Sequence, residues 1–151
     1  YKFTFMLTLI VVAILNKNLF KQVDYSLLIT FIGFFIFIGN ISTMEVVRNF
    51  MSGILNSPQS TFMCSIFSSQ FISNVPATML LSGFTEHFKE LLLGVNIGGM
   101  GTLIASLASV ISYKIYNSEF SNDGSMYLKS FTFYNVLGLV IIIPIIYLIM
   151  F

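Results

Sequence analysis

The sequence predicts an all-α fold: a polytopic membrane protein with a re-entrant helical hairpin and a broken transmembrane helix. Three observations lead there. Of the 151 residues, 56% are apolar and only 9% charged, with a mean hydropathy of +0.91, whereas a soluble domain of this size needs a charged surface. The charges, among them Lys17, Lys21, Glu45, Arg48, Glu86, Lys114 and Lys129, fall between apolar stretches and never in the middle of one, the pattern that hydrocarbon enforces. Two apolar stretches are also interrupted, one by Ser73-Asn74-Val75-Pro76 and one by Gly98-Gly99-Met100-Gly101.

Residues 3–15 are apolar throughout but shorter than the roughly 20 that a span needs, so they read as the end of a helix truncated on its N-terminal side. The chain starts at Tyr1 rather than Met and is expected to be part of a longer protein, with no cleavable signal sequence. A polar loop, 16–24, carries Lys17 and Lys21. Residues 25–41 make a spanning helix crowded with Phe and Ile, and its Gly33 and Gly39 suit either close helix approach or plain contact with lipid. The stretch 44–55 is amphipathic, with Met44, Val47, Met51 and Ile54 on one face and Glu45, Arg48, Asn49 and Ser52 around the other, as in a helix lying along the interface.

Residues 59–84 carry no charge. Pro76 lacks an N–H and biases Val75 away from the helical region, so the chain is expected to reverse there. The arms 60–72 and 77–84 would be about 20 Å and about 12 Å long, too short for a hydrocarbon core of roughly 30 Å, which implies a re-entrant hairpin. Residues 91–113 form the next span, unwound at the glycines into two half-helices. A polar loop, 118–130, precedes the last and most hydrophobic span, 131–151, in which Pro144 reads as a kink. The lysine pairs check the hairpin, since Lys17 with Lys21 and Lys114 with Lys129 should both face the cytoplasm. A hairpin places them on one side, and Glu45 and Glu86 together on the other.

Irregular backbone at bilayer depth is tolerated only where it is buried in protein or lines a wet cavity, so the two interruptions together describe a binding site. Pro76 is expected at the first helical position of the second arm, leaving Ser73, Asn74 and Thr78 beside a helix N-terminus whose N–H groups and dipole favour an anion. Thr102 is expected to open the second half-helix, with Ser106 one turn further on. Gly99 is expected to take a positive φ and to admit close approach of a ligand. Carbonyl ends at Phe71 and Ile72, and at Asn96 and Ile97, offer oxygen ligands to a hard cation such as Na⁺. Val75, Gly98 and Gly101 complete the candidate set as parts of the two turns. Ser, Thr, Asn and Gly also serve ordinary helix packing; two polar helix starts about twenty residues apart favour a site instead.

The runs Ser73-Asn74-Val75-Pro76-Ala77-Thr78, Gly94-Val95-Asn96-Ile97-Gly98-Gly99 and Thr102-Leu103-Ile104-Ala105-Ser106-Leu107-Ala108 resemble the C-terminal repeat of the ion transporter superfamily. That group includes the arsenite permeases, the citrate transporters and the sodium-coupled dicarboxylate and sulfate carriers. Val23-Asp24-Tyr25-Ser26-Leu27-Leu28 is similar to the family's approach to the helix before its hairpin. The resemblance implies that residues 1–151 are the C-terminal half of a membrane transport domain, one inverted repeat of a secondary transporter with elevator-type alternating access. Substrate and sodium would lie between hairpin tip and broken helix. The implied partners are membrane lipid, the missing N-terminal repeat and a small anion of the carboxylate, sulfate or arsenite class; a homodimer is compatible. Na⁺ as coupling ion, no other cofactor, and a multi-pass location in the cell (inner) membrane are also implied. Val75-Pro76-Ala77 looks closer to the arsenite permeases, while Met100, Leu103 and Ala105 depart from their pattern, so the substrate stays open.

Other classes fit less well. A sodium or proton antiporter of the same superfamily commonly uses an intramembrane carboxylate, and these stretches contain none. An intramembrane enzyme needs a nucleophile with a base, or metal ligands. Cys64 is alone and reads as a packing residue, while His87 sits in the charged run Glu86-His87-Phe88-Lys89-Glu90 and reads as a solvated loop residue. No catalytic or metal-binding residue is assigned. A non-transporting membrane subunit has no use for two convergent breaks. A net charge of +1 with no basic cluster excludes a nucleic-acid face.

Overall fold

The computed structural model describes all residues except Asp24, Ser121 and Asn122, and among the described residues the secondary structure is helical with no strand. Asp24, part of the run that resembles the superfamily, and Ser121 and Asn122, in the expected loop 118–130, lie outside the described residues. The chain divides into two compact units, Tyr1–Phe35 and Ile36–Phe151.

The first unit holds α1 (Lys2–Leu15), the short α2 (Leu19–Gln22) and most of α3 (Tyr25–Ile41). α1 buries no residue. The polar side chains of α1 and α3 fold back onto their own helices: Thr8 Oγ1 donates to Thr4 O at 2.9 Å, Thr30 Oγ1 to Ser26 O at 2.8 Å and Asn40 Nδ2 to Ile36 O at 2.8 Å. Such bonds satisfy a hydroxyl or an amide where no water is available.

The second unit continues from the end of α3 into α4 (Glu45–Ile54), after a sharp bend at 42–44. α5 (Pro58–Ile72) and α6 (Asn74–Ser82) form the hairpin, and α7 (Phe88–Gly98) packs on both arms. α5 starts where local chemistry directs it. Ser57 and Ser60 exchange backbone and side-chain hydrogen bonds at 3.2 Å in a capping box, and Pro58 takes the first helical position, where an N–H has no partner anyway. A 3₁₀ turn (Leu103–Ala105), α8 (Leu107–Glu119) and α9 (Gly124–Met150) follow.

α5 lies between two apolar clusters. Leu55, Ala77, Leu81, Leu91 and Val95 join α6 and α7, with Cys64 packed against them as a small filler. Phe62, Ile66 and Ile97 form the second cluster, under Leu139, Ile142, Ile143 and Ile146 of α9.

α9 is 27 residues long, about 40 Å at 1.5 Å per residue, and is long and apolar enough to cross a membrane. It starts at Gly124, inside the stretch expected to be a polar loop. The cause is aromatic: the Tyr127 ring packs at a tilt against those of Tyr113 and Tyr116 of α8, with centroids 5.8 and 4.7 Å apart, and its hydroxyl lies 2.8 Å from Ser112 Oγ. These contacts hold the first turns of α9 against α8, and α8 itself runs on to Glu119.

Candidate functional site

The hairpin reverses at a single residue. Ser73 stands at φ 70° and ψ 154°, the one positive-φ residue other than glycine among those described, in a region that side chains with a Cβ seldom enter. α6 begins at Asn74, so Pro76 is its third residue and not its first as expected from sequence. The third amide of a helix also lacks an intrahelical acceptor, so a proline there removes no bond. The first bond of the ladder is Ala77 N–H to Ser73 O, at 2.9 Å. Thr78 turns its hydroxyl onto Asn74 O, at 2.7 Å.

The break after α7 departs from expectation in two ways. Gly99 has ordinary helical angles, φ −66° and ψ −14°, and the positive φ of 107° belongs to Gly101. Gly99 matters for space instead: a Cβ there would stand 3.1 Å from Asn74 Nδ2. Thr102 is extended and leads only into the 3₁₀ turn, while the second half-helix opens at Leu107 with extended Ser106 as its N-cap. Thr102 is held out of the helix because Gln70, on the last turn of α5, engages it. Thr102 N–H donates to Gln70 Oε1 at 3.1 Å, and Thr102 Oγ1 donates to Gln70 O at 3.0 Å.

Hairpin tip and break therefore meet. Ser73 Oγ donates to Ala105 O at 3.4 Å, which sets the start of α6 beside the start of α8. Neither start carries a side-chain cap; the N–H groups of Asn74 and Val75 in α6, and of Leu107 and Ala108 in α8, have no intrahelical acceptor, and both positive dipole ends fall in one place.

This contact depends on how closely α5 approaches α7. A Cβ at Gly94 would lie 2.6 Å from Phe62 O and 2.7 Å from Ser65 Cβ; one at Gly98 would lie 2.8 Å from Ile66 Cα and 2.9 Å from Ser69 Cβ. Ser65 and Ser69, one helical turn apart, face these glycines and, with Thr61 a turn before them, are fully buried. Ser65 Oγ donates to Thr61 O at 2.6 Å and Ser69 Oγ to Ser65 O at 2.8 Å, while Thr61 Oγ1 lies 3.4 Å from Leu55 O and 3.3 Å from Thr85 Oγ1, so every hydroxyl of the small polar stripe has a partner.

Of the residues singled out from sequence, Ser73, Asn74, Gly98, Gly99, Gly101, Thr102 and Ser106 belong to this junction. Val75 is exposed, and Asn96 is exposed with its amide donating to Leu92 O at 2.7 Å. The carbonyls offered to a cation at Asn96 and Ile97 accept from Gly99 and Met100 N–H, at 3.3 and 3.0 Å. Gln70 and the Thr61, Ser65, Ser69 stripe were not among the sequence candidates. At the opposite end of α6, Arg48, Ser52, Glu86 and His87 line an open groove of about 500 Å³. His87 is half-buried there, with its N–H donating to Thr85 Oγ1 at 3.1 Å, and is less solvated than its charged neighbours suggest.

No protein-family profile matches the chain, and no solved structure does. Two curated proteins are similar to it. One is an uncharacterized transporter of Methanocaldococcus jannaschii, 37% identical over 120 residues that cover 78% of this chain and 32% of that protein. The other is the inner membrane protein YbiR of Escherichia coli, 31% identical over 108 residues, 71% of this chain and 29% of that protein. The chain thus matches about a third of the length of each; one of these relatives is named as a transporter and the other as an inner membrane protein, and together they point to a membrane transporter.

Proposed function

We propose that residues 1–151 form the C-terminal repeat of a secondary transporter of the ion transporter superfamily, multi-pass in the cell membrane. Its cargo is a small anion of the carboxylate, sulfate or arsenite class, and Na⁺ is the coupling ion. The observation that carries this reading is the meeting of two uncapped helix starts, α6 and α8, across the Ser73 to Ala105 hydrogen bond. An anion lodged there takes N–H groups of both first turns without any charged side chain, the arrangement broken helices use for anionic cargo. Similarity to a protein named as a transporter supports it, as does α9, an apolar helix of spanning length. The missing N-terminal repeat supplies the rest of the site.

The test is uptake by the full-length transporter in proteoliposomes, using labelled citrate, sulfate and arsenite, with and without a sodium gradient. Saturable uptake of one of the three, raised by the gradient, is the expected result; no uptake of any of them overturns the anion reading. Topology has its own check. Arg48 and Glu86 line one groove, which supports Glu45 and Glu86 lying at the same membrane face. Single cysteines at positions 45 and 86 should label from the same side of intact cells.

A further inference from the structure

A carboxamide fills the middle of the helix break. Gln70 Nε2 donates to Gly98 O at 2.6 Å and to Met100 O at 3.0 Å, and lies 3.4 Å from Ile66 O, while Gln70 Oε1 accepts from Thr102 N–H at 3.1 Å. Both ends of the amide are engaged, so its orientation is determined: flipped, it would set its oxygen against two carbonyls and its NH₂ against an N–H. Gly101 belongs to the same construction, because a Cβ there would run into Gln70 Oε1. Unwinding a helix in an apolar medium leaves carbonyls without donors, each a substantial penalty unless a partner is supplied. Elsewhere in membrane proteins such carbonyls are turned to a metal cation.

We propose that Gln70 is the positioning residue of the break, its NH₂ standing where a cation would otherwise bridge the carbonyls of Gly98 and Met100. The break is then held open by the protein itself, and any cation that couples to transport binds elsewhere. This concerns the protein's own backbone and holds for any cargo.

Hydrogen–deuterium exchange on the full-length transporter in lipid nanodiscs tests it, read on a peptide covering 98–106, with α9 as the internal standard for folding. Gln70→Leu keeps the bulk and removes every donor and acceptor, so the 98–106 amides should exchange roughly tenfold faster, as loss of one or two net hydrogen bonds implies. Gln70→Glu is the sharper variant. Its carboxylate can still accept from Thr102 N–H but now faces two carbonyl oxygens, so at alkaline pH in potassium salt it should exchange like the leucine variant. Acid should restore protection, read as the ratio to the intrinsic exchange rate at the same pH and salt, because the protonated acid again has one acceptor and one donor. Sodium at alkaline pH should restore it too, because carboxylate and carbonyl oxygens then form a ligand set for a hard cation. Restoration by acid or by sodium supports the proposal, since a merely structural defect answers to neither. It is overturned if the protection of the 98–106 amides in Gln70→Glu, corrected for the intrinsic rate, is the same at every pH and in both salts, or if Gln70→Leu exchanges like the wild type.

Discussion

α5 and α9 pack against each other with opposite allocations of polarity. In α5 the fully buried residues include Thr61, Ser65 and Ser69 at 0% exposure, while Phe67 and Phe71 point outward. In α9 the outward residues are Ile, Leu and aromatic, with Leu148 82% and Ile149 75% exposed. A protein in water places its apolar bulk inside. Here hydroxyls and glycines line the seam between α5 and α7, flanked by the two apolar clusters, and the outer surface is hydrocarbon. The difference teaches that the seam between α5 and α7 is built from close backbone approach and satisfied polar groups, the means by which helices associate where the surroundings are as apolar as leucine.

The comparison breaks most severely if the close approach is lost. Gly98→Val would drive two methyls toward the Ile66 backbone, whose Cα and O lie 2.8 and 2.9 Å from a Cβ at that position. A loss of about 3 kcal/mol or more is expected, seen as a lower melting temperature or poor yield of the full-length protein. Next comes Asn74→Ala, which leaves the packing stripe intact and removes a side chain at the tip. Stability should hold, while affinity for cargo or ion falls by roughly five- to a hundredfold, the factor that about 1 to 3 kcal/mol corresponds to. Cys64→Ala and His87→Ala are the matched controls in that uptake assay, with near-normal transport expected. Ser69→Ala should cost only about 0.5 kcal/mol, because its hydroxyl bonds its own helix and its removal strands no other donor. Leu148→Ala, on the outer face of α9, should change melting by less than about 0.5 kcal/mol, since lipid fills what the side chain leaves.

Both interruptions were legible because proline and glycine act locally. Ser73 to Pro76 marked the reversal to within a residue or two, and Gly98 to Gly101 marked where α7 ends, while the second half-helix opens at Leu107, five residues past the expected Thr102. The residues that settle the details were not legible, for a physical reason. Whether Gly99 or Gly101 takes positive φ, and whether Thr102 or Ser106 opens the second half-helix, depends on Gln70, 28 or more residues away from the carbonyls it engages. A lone glutamine in an apolar helix gives no periodic signal. The stripe of Thr61, Ser65 and Ser69 was visible as a four-residue spacing, matched by Gly94 and Gly98, and it was the signal that could have predicted which faces of α5 and α7 meet. Tyr127 hid the early start of α9, since a polar composition outweighs one aromatic side chain until its partners on α8 are known.

The contact of Gly94 and Gly98 with the α5 backbone also has a mechanical consequence. Surfaces that meet through long side chains can shear, because each rotamer change lets one helix slide by a fraction of an ångström. Backbone seated on backbone has no such bearing: a slide of one residue would drive Leu93 or Ile97 into the space that only a hydrogen atom now occupies. α5 and α7 are therefore fixed in register at these two glycines.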